Sequence, residues 1–89
     1  MAIVIDIPDT TDSLLLEDYW TGPKVFTNLH RVSQDGTHVW DASPPLPTSP
    51  DSWTRATIEG EFVVAHSWSG FIVRLDLSTG RELSREFVK

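Results

Sequence analysis

The chain alternates short apolar runs with polar or glycine-bearing breaks, and no stretch repeats at helical spacing. "SLLLED" (13–18) is too short for a helix. The pattern predicts eight strands: 2–7, 13–20, 24–33, 37–42, 53–58, 62–68, 71–77 and 81–88. Gln34-Asp35-Gly36, Glu59-Gly60, Ser69-Gly70 and Ser78-Thr79-Gly80 supply turns, because glycine adopts the positive φ that tight hairpins need. Residues 43–52 hold four of the six prolines, and proline cannot donate to a β-ladder, so this stretch is a connector.

The connector divides one domain, residues 1–89, into two repeats, 2–42 and 53–88. "LLLEDYWTG" (14–22) lies over "FVVAHSWSG" (62–70) without a gap, placing Leu14 on Phe62, Asp18 on His66 and Trp20 on Trp68. With a gap, "LHRVSQDGTHVW" (29–40) lies over "IVRLDLSTGREL" (72–83). The expected fold is all-β: two four-stranded antiparallel meanders.

"FVVAHSWSGFIVRLDLSTGREL" (62–83) resembles the blade repeat of quinoprotein-type, PQQ-like β-propellers, through Gly70, Leu75-Asp76 and Thr79-Gly80. The resemblance covers 53–88 well and 2–42 loosely, with Val32-Ser33 and Asp35-Gly36 at the matching places of the first half. Trp40 fits the outer-strand Trp of such blades, whereas the second half has Ser84 near it. The resemblance implies a fold and not an activity, since the residues that hold quinone and calcium in that family have no counterparts here. Propellers close with about four blades or more. Two blade-like sheets therefore imply either a homo-oligomer, with a dimer supplying four blades and a trimer six, or a sandwich or partial barrel. The strand at 2–7 could complete a neighbour's sheet by edge pairing.

The net charge of −6 disfavours nucleic acid and anionic membrane surfaces as partners. Its simpler meaning is solubility. The absence of cysteine excludes disulfides, thiol catalysis and Cys-ligated zinc. "MAIVIDIPD" lacks the basic start and long apolar stretch of a signal peptide, so cytoplasm is the expected compartment.

Strand alternation puts Phe62, Val64, His66 and Trp68 on one face, and Leu14, Leu16, Asp18 and Trp20 on the matching face. Two readings of this pattern stand. Each Trp with its neighbouring polar group forms a niche for a sugar ring or a peptide side chain, or both Trp pack in the core with Asp18 and His66 meeting backbone amides. Trp53, beside Arg55, is either a contact residue next to the proline loop or the anchor of that loop. The candidate ligand-binding residues are therefore Asp18, Trp20, His66, Trp68, Trp53 and Arg55.

His30 and His38 face each other across the Gln34-Asp35-Gly36 turn, but their spacing matches no ligand motif and no third ligand is evident. Asp6, Asp9 and Asp12 lack the glycine and distal glutamate of a calcium loop and read as turn formers. No metal site and no cofactor is expected. "SWSG" lacks the first glycine and the following helix of a nucleophile elbow, and no P-loop or dinucleotide fingerprint occurs. The expected function is that of a non-catalytic, soluble β-repeat module for protein interaction or self-assembly. The alternative is a lectin-like carbohydrate-binding protein; a small enzyme has the least support.

Overall fold

The computed structural model describes residues 3–17, 28–43 and 52–87. Among them are eight strands: β1 (Ile3–Asp6), β2 (Ser13–Leu16), β3 (Leu29–Val32), β4 (His38–Asp41), β5 (Trp53–Glu59), β6 (Phe62–Ser67), β7 (Phe71–Asp76) and β8 (Glu82–Phe87). They form two antiparallel meanders in chain order, β1-β2-β3-β4 and β5-β6-β7-β8, and neither closes into a barrel. The expected all-β class and strand order hold. The far part of the second predicted strand, the start of the third and most of the proline connector lie outside the described residues.

Each sheet turns one face to a shared core. Ile7, Leu14, Leu16, Leu29, Trp40 and Ala42 come from the first sheet and its flanks; Trp53, Ala56, Val63, Ala65, Val73 and Leu75 come from the second. Burying each large aliphatic side chain contributes about 1.5–3 kcal/mol. Leu14 and Leu16 point inward while Leu15 does not, which is the period of two that a half-buried strand requires.

The same parity corrects the repeat alignment. In β6 the core residues are Val63 and Ala65, and Phe62 stands exposed on the opposite face. The ungapped match of Leu14 with Phe62 therefore pairs an inward residue with an outward one; by facing, Leu14 corresponds to Val63 and Leu29 to Val73. A slip of one residue exchanges the two faces of a strand, and the continuous apolar run Phe62-Val63-Val64-Ala65 conceals which face is which.

Polar groups lock the sheets together. Buried Asn28 donates from Nδ2 to the Glu17 and Trp53 carbonyls (2.9 and 2.7 Å), and its Oδ1 accepts from the Trp53 N–H (2.9 Å). Arg31 bridges Asp12 on its own sheet (2.9 Å) and the Leu77 carbonyl of the other (3.0 Å). The Trp40 indole also donates to Leu77 O (2.9 Å) and lies against Gly80, at φ +75°, where an added Cβ would sit 2.5 Å from the ring. These contacts dock the first sheet on the second by its core face and leave its other face to carry a group of ionisable side chains.

Candidate functional site

The face of the first sheet turned away from the core carries four ionisable side chains. They converge because of an irregularity in β4. His30 pairs with Asp41 and Arg31 with Trp40, but Val32 then pairs with His38, so β4 spends one extra residue over that step. Strict alternation would put His38 on the inward side with buried Trp40. The bulge turns it instead to the side of His30 and Asp41, the kind of re-aiming that bulges produce. Glu17, just after β2, is fixed by its N–H donating to Asn28 O (2.8 Å) and reaches the same side chain from the other flank.

His30 is the centre of the group and is only 4% exposed. Its Nε2 lies 2.6 Å from Glu17 Oε1, and its Nδ1 lies 2.6 Å from Asp41 Oδ1. His38 Nδ1 meets the same Asp41 oxygen at 2.6 Å, and the two imidazole rings stand 4.5 Å apart. Ionised carboxylates only accept, so each contact draws on a ring N–H, and both sides of His30 are filled together only when that ring carries two protons. Burial pushes the Asp41 carboxyl up. Hydrogen bonds from His38 and His30, with the charge on those rings, outweigh burial and hold it below the ordinary carboxylate value. The result is a continuous carboxylate–imidazole–carboxylate–imidazole chain in which His30 is buried and the side chains of Glu17, His38 and Asp41 are each about half exposed.

The third group beside the two histidines is thus Asp41, and Glu17 is the fourth. Neither was singled out from the sequence as their companion. Alternation assigns His38 and Asp41 to opposite faces, and only the bulge reverses that. One signal does exist: strict alternation would place His38 on the same face as Trp40.

The candidate ligand-binding residues fall in different places. Asp18 and Trp20 lie outside the described residues. Trp53 is 2% exposed, and its indole donates to Ser43 O (3.2 Å), tying down the start of the connector. It belongs to the core face. Arg55 is the cross-strand partner of half-buried His66, so those two share the opposite face of the second sheet. Trp68 follows β6 in the turn and is 65% exposed, which corrects the alternative that packs it in the core. The structure brings Arg55 to His66 and separates both from Trp53.

Fold and site together define an all-β protein of two stacked four-stranded meanders with a carboxylate–histidine cluster on one outer face. The chain belongs to a family described as a domain of unknown function (DUF7957), which matches residues 13–87. No curated protein and no solved structure matches it. Among the described residues no helix is long and apolar enough to cross a membrane.

Proposed function

We propose that the protein is a non-catalytic assembly module, a cytoplasmic β-repeat unit that completes its sheets with a second copy of itself. One observation carries this reading. The strands at the two ends, β1 and β8, each pair on one side only and display large apolar residues, with Val4 61% and Phe87 56% exposed and Ile3 and Leu83 close to half exposed. Open edges with apolar side chains recruit further strands unless something covers them. On β8 the core-side residues Arg85 and Phe87 reach past the cover of the first sheet: Phe87 stacks on Phe71 (5.1 Å), and the Arg85 guanidinium lies over the Phe71 ring (4.9 Å). In a propeller-like array of the kind residues 53–88 resemble, a neighbouring blade would cover that face.

Light scattering behind a sizing column tests the proposal. The expected mass is a multiple of 10.0 kDa, and Val4→Lys or Phe87→Glu should return it to the monomer value. A monomer at micromolar concentration overturns the reading.

A second reading has its own observation. Exposed Trp68, two residues beyond His66 and its partner Arg55, offers an aromatic platform beside polar groups, as a sugar-binding niche would. A tryptophan-fluorescence titration with a glycan panel separates the two. A response abolished by Trp68→Ala, with the oligomer unchanged, favours the lectin-like reading.

A further inference from the structure

Beyond self-assembly, we propose that His30, His38 and Asp41 bind a divalent first-row transition cation, with Glu17 orienting His30. Two imidazoles and one carboxylate are the donor set that suits zinc and its neighbours, and they leave a fourth position for water. One ligand atom from each of His30, His38 and Asp41 lies within 4.8 Å of the other two.

Glu17 supplies the second feature of a metal site. A ligating histidine usually donates its other ring N–H to a carboxylate, which fixes the tautomer and leaves the metal-facing nitrogen unprotonated. His30 has that arrangement, with Nε2 on Glu17 and Nδ1 turned toward Asp41 and His38. Without metal, ring N–H groups close the centre by hydrogen bonding. Each ring nitrogen is 2.6 Å from the shared Asp41 oxygen, too near for two ligands of one ion. Donors about 2.0–2.2 Å from a tetrahedral cation stand roughly 3.3 Å apart, so the site must open by less than about 1 Å. His30 is fixed in the sheet, whereas the half-exposed side chains of His38 and Asp41 are at the solvent side and can supply that movement.

Charge points the same way. Two carboxylates, Glu17 and Asp41, line the cluster, and the whole chain is at −6. The bulge in β4 leaves Val39 49% exposed and brings His38 across to His30 and Asp41.

The test is a calorimetric titration of untagged protein with Zn²⁺ at neutral pH, followed by NMR of the histidine ring signals. The expected result is one zinc per chain, with the His30 and His38 rings shifting together. His38→Ala and Asp41→Asn change half-exposed groups and should leave the fold intact while weakening binding at least about tenfold. Glu17→Gln should weaken it by about 10–100-fold through the orientation of His30. His66→Ala should bind as the parent does. Absence of binding at millimolar zinc overturns the proposal. So does binding that survives both His38→Ala and Asp41→Asn, or that disappears with His66→Ala alone.

Discussion

The first sheet fills its half of the core with Leu14, Leu16, Leu29 and Trp40, and the second meets it with Ala56, Val63, Ala65, Val73 and Leu75. Each layer mixes large and small side chains, Trp40 with Ala42 in the first and Trp53 with Ala56 and Ala65 in the second, as close packing of two sheets allows. Trp40 over Gly80 is the extreme case: an indole from one closing hairpin occupies the space a side chain would fill at the turn of the other. The hairpins also share a device. Each carries a register shift one step before its turn, at Arg31/Val32 and at Arg74/Leu75. In the first, the shift brings His38 to the far face; in the second, it sets Glu82 opposite inward Leu75. One topology thus serves two uses: the far face of the first sheet gathers ionisable groups around a buried histidine, and β8 extends the core side of the second beyond its cover.

The largest effect is expected where the sheets are pinned together. Asn28→Ala removes three hydrogen bonds and leaves the Trp53 N–H and two carbonyls to find other partners. Each buried group left unsatisfied costs about 1–3 kcal/mol. A net loss of about 3–5 kcal/mol is expected, a large share of the roughly 5–15 kcal/mol available to a domain. A guanidinium unfolding curve measures it. A shift below about 1 kcal/mol would mean that the sheets do not depend on this residue for their docking.

Next come the two turns. Gly80→Ala meets both a positive φ and the Trp40 ring, with three ring atoms within 2.9 Å of the new Cβ. Left-handed backbone costs a non-glycine residue about 1–2 kcal/mol, and overpacking adds about 1–3, so about 2–4 kcal/mol is expected. Gly36→Ala, at φ +88° with nothing near the new Cβ, should cost only the backbone part. Replacing Trp40 with Leu in the Gly80→Ala background should recover part of the difference. Equal losses at the two glycines would show that the Trp40 contact carries no weight.

Much of this architecture was legible beforehand, for identifiable reasons. Proline and glycine mark breaks whatever the packing, so the eight strands of the described residues and the turns at Gly36, Gly60, Gly70 and Gly80 could be placed from the chain alone. Facing was legible only where apolar and polar residues alternate. It failed in Phe62-Val63-Val64-Ala65, where every residue is apolar and pairing alone chooses the inner face. The carboxylate–histidine cluster was half legible. His30 and His38 flank a recognisable turn, but Asp41 joins them through a bulge, and Glu17 through a backbone bond to Asn28. Both depend on tertiary contacts that no local pattern carries.

The smallest effect separates the hairpins by acid. Asp35, in the first turn, has its carboxyl lowered from 3.8 to about 2 by hydrogen bonds, first from the Ser33 hydroxyl and then from the Thr37 N–H at 3.0 Å. Asp41 is also lowered, by His38 and His30 against the cost of burial. A carboxyl whose folded value lies below its unfolded one stabilises the fold fully above the unfolded value, and that contribution disappears as pH falls through the folded value. The window for Asp35 is therefore about pH 4 down to about 2. The Thr37 amide shift should titrate with a midpoint near 2, and Asp35→Asn should abolish that titration. In the second hairpin the Asp76 carboxylate accepts from the Ser78 N–H (2.8 Å). A Thr37 midpoint near 4 would show that the Ser33–Asp35 contact does not persist in solution. The two turns would then differ in sequence but not in the grip of their aspartates.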